Sequence, residues 1–241
     1  MLDLARETPR SVTNMITALL DKTGKLLSES TIKRLLKNAG LKWKRIRKTT
    51  KNQPKAEDLE KASKEIDELK EQHKNGKLEL WFFDEVGFDL EPKVPYAWQP
   101  KGEILEVPCS HSARLNVLGF LTPDNQFESF VFESSIDTDV VIAAFDEFAK
   151  KITKKRVVII DNAPTHTSKK FLSKIKEWEK KGLFIKYLPT YSPQLNIIEI
   201  LWRFIKYEWL PFSAYSSFKQ LVIEVENILI QIGQRFKINF A

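Results

Sequence analysis

Leu80-Trp81-Phe82-Phe83-Asp84 is the stretch that decides the fold, because four consecutive apolar residues end on a carboxylate. A second stretch has the same form, since Val157-Val158-Ile159-Ile160 ends on Asp161. Runs this apolar predict strands that are covered on both faces, as in sheets that lie between helices. A buried strand that ends on an aspartate places a carboxylate at the end of an α/β sheet, where sites in such folds are built, and two such ends on adjacent strands would bring the carboxylates together.

The residues around these strands alternate between strand and helix patterns. Strands are predicted at 78–84, near 103–107, 114–121 and 126–132, and at 156–161 and 183–188. Helices are predicted at 137–151, 168–181, 192–207 and 216–232. Hairpins followed by strand–helix alternation predict a mixed sheet flanked by helices, in an α/β fold.

The basic character of the chain lies at its beginning. Residues 1–53 hold 13 Lys or Arg against 4 Asp or Glu, and the remainder holds 26 against 28. A concentrated basic segment indicates a polyanion partner, nucleic acid first, although a solvated basic tail is the alternative reading. The residues predicted to contact DNA are Lys33, Arg34, Lys37, Lys42, Lys44, Arg45, Arg47 and Lys48.

Three parts are predicted along the chain. Residues 1–53 form a helical basic DNA-binding segment, in which a helix capped by Thr8 and a second helix resemble part of a helix-turn-helix unit. Other helical hairpins share that pattern. A connector helix follows at 54–76, with one narrow apolar stripe. Residues 77–241 form the catalytic domain.

Composition excludes several classes of protein. One cysteine and three histidines provide neither a disulfide framework nor a Cys/His zinc cluster. No run of about 18 uncharged apolar residues is present, so no membrane span is predicted. The first residues lack the apolar core of a signal peptide, and we expect a cytoplasmic protein, at the bacterial nucleoid.

The two strand-end aspartates predict a cation site. Carboxylates brought together in a poorly solvated cleft repel unless a proton or a cation lies between them, and a hard cation is the simplest solution. For Asp84 or Asp161 alone, a loop cap or a turn former is the alternative. Glu85 is expected to point to the opposite side of its strand.

Glu199 is the third candidate acid. It lies on a polar helix stripe with Asn196, Arg203 and Lys206, at spacings of three, four and three. An exposed Glu199–Arg203 ion pair is the alternative, and periodicity alone slightly favours it. Asn162 and Asn196 are candidates to orient ligands from outside the first shell.

Two further side chains are open to more than one reading. His166, five residues after Asp161, either supports the site or contacts phosphate, or is a polar loop histidine. Trp98 is expected to pack in the core rather than to contact DNA.

Three motifs together resemble the acid motifs of DDE transposases. They are Phe83-Asp84-Glu85-Val86-Gly87-Phe88, Asp161-Asn162-Ala163-Pro164-Thr165-His166 and Tyr191-Ser192-Pro193-Gln194-Leu195-Asn196-Ile197-Ile198-Glu199. The similarity is to the mariner-related bacterial branch of the insertion sequence 630 type, and it spans about residues 28–240. Trp98-Gln99-Pro100-Lys101-Gly102 also looks like that branch, and the spacing of Asp161 and Glu199 suits it.

The resemblance implies an RNase H-like fold in which Asp84, Asp161 and Glu199 are catalytic and hold two Mg²⁺ or Mn²⁺ ions. It implies DNA cleavage at transposon ends, joining to a TA-containing target, and action as a homodimer or a larger synaptic assembly. Family members usually carry a longer N-terminal DNA-binding region, so we expect a partial product or one chain of an element encoded in two frames.

Two other functions remain open at this point. An RNase H-like nuclease or resolvase would share the three acids but would hydrolyse DNA without joining it. An inactive or truncated transposon-derived protein would only bind DNA.

Overall fold

The computed structural model describes residues 2–7, 9–44, 54–93, 98–102, 104–111 and 113–240. The chain forms two compact units, Met1–Thr49 and Thr50–Ala241. None of the helices in these described ranges is long and apolar enough to cross a membrane.

The N-terminal unit contains three helices, α1 (Leu2–Glu7), α2 (Val12–Thr23) and α3 (Glu29–Asn38). Serine side chains cap two of them, because the Ser11 hydroxyl accepts from the Asn14 N–H and the Ser28 hydroxyl accepts from the Thr31 N–H. The predicted start of the first helix at Thr8 is therefore wrong for α2, which begins after Ser11. Thr8 itself lies outside the described residues.

The predicted DNA contacts in this unit lie mainly on its surface. Lys33, Arg34 and Lys37 on α3 are exposed, as are Lys42 and Lys44 after it. The other three predicted contacts, Arg45, Arg47 and Lys48, lie outside the described residues.

The second unit begins with α4 (Ala56–Lys74) and is built on a five-stranded sheet. In chain order its elements are β1 (Glu79–Phe88), β2 (Leu115–Leu121), β3 (Phe127–Phe132), α5 (Thr138–Lys150), β4 (Arg156–Ile160), α6 (Lys169–Lys180), β5 (Leu183–Tyr187), α7 (Ile198–Phe204) and α8 (Phe218–Ile230). The strand order is β3-β2-β1-β4-β5. The first three strands are antiparallel, and β1, β4 and β5 are parallel. The predicted mixed sheet flanked by helices is confirmed.

The two apolar runs identified in the sequence are the central strands of this sheet. Side chains of β1 alternate between two cores, with Leu80 and Phe82 on one face and Trp81 and Phe83 on the other. Helices α4, α7 and α8 cover the first face, and α5 and α6 cover the second. Both faces are buried, which explains why the strands lack a polar side.

The parallel pairing of β1 with β4 sets the positions of the two aspartates. The last pair in the register joins Phe82 to Ile159. Two residues further along each strand, the same offset places Asp84 level with Asp161. Residues level in a parallel pair point to the same side of the sheet, so the register brings both carboxylates to one edge.

One predicted strand and one predicted core residue differ in the structure. The strand near 103–107 is not formed, since residues 104–111 have no regular structure. Ile104 and Leu105 are 84% and 48% exposed, and neither belongs to a strand of the sheet. Trp98, expected in the core, is fully exposed, so that prediction is wrong.

The helix predicted at 192–207 is divided into three pieces. A 3-10 turn (Pro193–Leu195) precedes α7, and a π-helical turn (Ile205–Trp209) follows it. Asn196 has an extended backbone between the first two pieces, with φ −100° and ψ 102°. Its side chain donates to the Phe83 carbonyl of β1, so it ties the start of α7 to the sheet.

Close packing of α7 on the sheet depends on Gly119 of β2. Gly119 pairs with Asp84 across the antiparallel ladder. A Cβ at this position would lie 2.6 Å from the indole of Trp202 and 3.1 Å from Ile198. The absent side chain therefore makes the space in which α7 lies against β1 and β2.

We predict that Gly119→Ala lowers the free energy of unfolding by about 1–3 kcal/mol, because the buried indole must move. Urea denaturation followed by tryptophan fluorescence measures the change. Gly87→Ala is the matched control, since its Cβ would meet only the end of the Arg114 side chain, which is exposed and can shift. Equal losses in the two variants would show that α7 does not depend on Gly119.

Candidate functional site

The three acids predicted from the sequence line one cavity. Asp84 comes from β1, Asp161 follows β4, and Glu199 lies in the first turn of α7. The cavity measures about 560 Å³. Its other lining residues are Asn162, Ala163, Pro164, Leu188, Pro189, Thr190, Tyr191, Ser192, Pro193 and Asn196.

Asp84 is the most enclosed of the three carboxyl groups. The Trp202 indole N–H donates to its Oδ2 at 3.1 Å, and the side chain is half-buried under α7. Burial raises the pKa of Asp84 to about 8, and the negative charge of Glu199 adds to this rise. Asp84 is therefore largely protonated at neutral pH unless a positive charge in the cavity stabilises its carboxylate.

Asp161 is held by a hydrogen-bonded histidine. Its Oδ1 accepts from the Ala163 N–H at 3.0 Å and from His166 Nδ1 at 2.7 Å. The His166 Nε2 reaches Glu85 Oε1 at 3.3 Å on the far face of β1. The hydrogen bond from His166 lowers the pKa of Asp161, so this carboxylate is ionised at neutral pH.

His166 is a buried imidazolium rather than a surface group. It is 1% exposed, and its ring packs against Phe83 and Phe171. Burial lowers its pKa, but the hydrogen bonds to Asp161 and Glu85 outweigh burial and raise it to about 9. Both ring nitrogens then donate, which fixes the orientation of the Asp161 carboxylate.

Glu199 lies at the accessible rim of the cavity. Partial burial of its carboxyl group raises its pKa, and the charge of Asp161 raises it further. Among the described residues Glu199 has no ion-pair partner, so the alternative pair with Arg203 is not formed. The side chain is available to a ligand in the cavity.

Two asparagines that line the cavity also hold its backbone segments together. The Asn162 amide donates to the Leu188 carbonyl at 2.5 Å and so joins the ends of β4 and β5. The Asn196 amide donates to the Phe83 carbonyl at 3.0 Å, next to Asp84. The buried Asn196 Oδ1 has no partner among the described residues, so one polar atom at the cavity wall remains unsatisfied.

The chemistry of the donor set fits a hard divalent cation. Three carboxyl groups share the cavity with an unpartnered amide oxygen, and these are the oxygen donors that such a cation prefers. As the side chains stand, the described residues contain no group of three or more His, Cys, Asp or Glu that could hold an ion. Asp84 Oδ2 accepts a hydrogen bond from Trp202, and Asp161 Oδ1 accepts one from His166.

Two residues that contribute to the site are not predicted from the sequence. Trp202 belongs to the apolar face of α7, yet its indole N–H donates to Asp84. Glu85 does point away from Asp84, as predicted from strand alternation, but it reaches back to Asp161 through His166. A tryptophan three positions after the acid on the same helix was the available signal for the first, and nothing local indicated the second.

Comparison with known proteins agrees with this arrangement. Residues 79–222 match the family of DDE superfamily endonucleases. The chain therefore belongs to that family, and the resemblance to DDE transposases of the insertion-sequence and mariner type is confirmed.

One curated relative is an uncharacterized 39 kDa protein of insertion element IS630 from Shigella sonnei. It is 26% identical over 212 residues, which are 86% of this chain and 60% of the relative. The chain thus spans about 60% of the length of that relative.

A solved structure with the same fold is the Mos1 strand transfer complex. The TM-score is 0.52 at 12% identity, over 93% of this chain and 73% of the Mos1 chain. The RNase H-like fold predicted from the motifs is confirmed.

The raised pKa of Asp84 predicts that the stability of the protein depends on pH. The folded state favours the protonated Asp84 carboxyl. The contribution of this group to the free energy of unfolding is therefore fully present below its ordinary pKa of 3.8 and is lost as pH rises through about 8. Asp84→Asn removes this loss while an amide oxygen still accepts from Trp202. Without divalent ions, its advantage over the wild type should grow from pH 4 to pH 8, by at most about 1.4 kcal/mol for each pH unit between the two pKa values. Thermal melting across that range measures it, and a constant difference would contradict the pKa shift.

Proposed function

We propose that this chain is a DNA transposase that cleaves transposon ends and joins them to a target by metal-dependent phosphoryl transfer. The observation that carries the proposal is the single cavity that Asp84, Asp161 and Glu199 share, although they are far apart in the sequence. Membership of the DDE endonuclease family and the likeness to an insertion-element protein support it.

The residues of the site have distinct tasks in this proposal. Asp84, Asp161 and Glu199 would hold two Mg²⁺ or Mn²⁺ ions, the ions implied by the sequence resemblance. When bound, such ions activate the attacking water or 3′-hydroxyl and stabilise the leaving oxygen of the scissile phosphate. The acids act as ligands, so positioning and charge neutralisation contribute most of the catalysis.

The surrounding contacts prepare these ligands. His166 keeps the carboxylate of Asp161 ionised and oriented, and Glu85 keeps His166 protonated. Trp202 holds one oxygen of Asp84. Asn162 and Asn196 fix the loop and the helix that carry the other lining residues. Preorganised ligands of this kind lose little freedom when the substrate binds.

DNA is the proposed partner of both units. The exposed cations of the N-terminal unit, together with the basic arm that residues 42–48 form in the sequence, would contact backbone phosphates and supply affinity without sequence readout. Transposon ends and a TA-containing target are the proposed substrates, and a homodimer or a larger synaptic assembly is the proposed active form.

We predict that Asp84→Asn, Asp161→Asn and Glu199→Gln each lower DNA cleavage by about 10³-fold or more while DNA binding is retained, because each removes one charged ligand. Nicking of a supercoiled plasmid that carries the DNA flanking the coding region, with Mn²⁺ present, measures the rate.

Glu208→Gln is the matched control, because Glu208 is an exposed acid on the π-helical turn after α7 and does not line the cavity. Full cleavage by any of the three acid variants would contradict the assignment. Hydrolysis of a pre-cut end without joining would identify a nuclease instead, and binding without any cleavage would identify an inactive DNA-binding protein.

The basic arm makes a separate prediction. Changing Lys44, Arg45, Arg47 and Lys48 together to glutamine should reduce the slope of log K against log salt by about 3–4, because each phosphate contact contributes about 0.9. Fluorescence anisotropy with duplex DNA measures this slope. Four exposed lysines on α5 and α6 serve as the charge-matched control, namely Lys150, Lys169, Lys176 and Lys180. An equal change of slope in both variants would show that the basic arm does not contact the DNA.

A further inference from the structure

Five lysines and no acidic residue lie in the loops that lead into the three parallel strands. These loops are residues 75–78 before β1, residues 151–155 before β4 and residues 181–182 before β5. Because parallel strands begin at the same edge of a sheet, the three loops lie together at the edge opposite the acid cavity. We call this edge the amino edge. Its lysines are Lys77, Lys151, Lys154, Lys155 and Lys181.

Backbone hydrogen bonds fix the three loops to one another. The Glu79 N–H at the start of β1 donates to the Lys155 carbonyl at 2.8 Å. The Arg156 N–H at the start of β4 donates to the Gly182 carbonyl at 2.9 Å. The lysines of the amino edge therefore share one frame, which is continuous with the sheet.

The positive charge next to these lysines is used inside the protein. Arg156 is 6% exposed, forms an ion pair with Glu79 and donates to the Phe148 carbonyl. The buried guanidinium thus holds the start of β4 against β1 and α5. By contrast, all five lysines of the amino edge are exposed.

Three of the five lysines have no neutralising partner. Lys151 pairs with Glu128, and Lys181 pairs with Glu177. Within the part of the chain that the structure describes, the other three form no ion pair with a carboxylate. These three are Lys77, Lys154 and Lys155.

Helix ends do not account for these three lysines. Helices α4, α5 and α6 each end on a lysine, where a positive charge stabilises the helix C-terminus, but the three lie past those ends. Nor does the composition of the unit account for them, since residues 54–241 hold 26 Lys or Arg against 28 Asp or Glu. A patch of one sign on a unit with a negative net charge indicates a polyanionic partner.

We propose that the amino edge binds the phosphate backbone of a DNA segment other than the one at the acid cavity. This inference rests on the proposed function in taking DNA as the polyanion. Strand β4 separates the two edges by about 16 Å, at about 3.3 Å per residue, which is the length of about five base pairs. Duplex DNA is stiff over about 150 base pairs, so one duplex does not turn around the sheet within that distance. The chain would therefore hold two DNA segments, one at each edge.

Lysine modification of the wild-type chain tests the contact directly. The full chain is acetylated in EDTA with and without duplex DNA, and mass spectrometry measures the extent of modification at each lysine. DNA should lower the modification of Lys77, Lys154 and Lys155 by about 3-fold or more, because each amine would contact a phosphate. Three exposed lysines on the middle of α4, on α6 and on α8 serve as controls and should not be protected. They are Lys64, Lys176 and Lys219.

Charge removal measures the energetic contribution of the amino edge. Lys77→Gln, Lys154→Gln and Lys155→Gln combined should weaken duplex binding about 3- to 10-fold and lower the slope of log K against log salt by about 2–3. Fluorescence anisotropy in EDTA measures both quantities. The same three changes to arginine should retain them, because the charge is kept. The matched control changes the three control lysines to glutamine, and melting curves identify any variant that fails to fold.

Stoichiometry tests whether the DNA segment is a separate one. In a saturating titration at low salt, the wild type should bind one more short duplex per chain than the combined glutamine variant. Equal stoichiometries, or equal protection of the amino-edge and control lysines, would overturn this surface and leave the acid cavity unaffected. A wild-type chain with no salt-dependent DNA binding would overturn the proposed function as well.

Discussion

Parallel pairing of β1 with β4 is the constraint on which the site depends. Its register puts Asp84 and Asp161 level at one edge of the sheet. Two carboxylates this close repel each other unless a proton or a cation compensates their charge. The protein neutralises only one of them, through the protonated His166, and leaves Asp84 with a pKa of about 8. Asp84 therefore carries a proton at neutral pH, and a cation that binds the cleft would take the place of that proton.

The third acid depends on a different kind of contact. Glu199 reaches the cavity because α7 packs closely over Gly119 and is tied to β1 by Asn196. Trp202 both fills the space above Gly119 and binds Asp84, so one residue links packing to the chemistry of the site. Arg203 and Lys206 follow Glu199 on the same helical stretch, so positive charges lie beside the acid cavity.

Much of the sheet could be predicted because β1 and β4 are buried on both faces, which leaves an unmistakable apolar run before Asp84 and Asp161. The ordered motifs then identified the third acid. Helix periodicity favoured an exposed Glu199–Arg203 pair, since it contains no information about which helix face meets the sheet. The prediction of a strand near residues 103–107 was wrong because a local pattern of residues does not show whether a neighbouring strand is present to pair with it. The link from Glu85 to Asp161 joins opposite faces of the sheet and has no local signature.

Calorimetric titration of the metal-free protein with Mn²⁺ tests the central claim most directly, because it measures whether the acids act as one cation site. If they do, the wild type binds Mn²⁺ in the absence of DNA, and Asp84→Asn, Asp161→Asn and Glu199→Gln each weaken that binding by at least about tenfold, which corresponds to about 1.4 kcal/mol. Indistinguishable Mn²⁺ affinities in all four proteins would show that these side chains do not share a metal, and the account would be wrong.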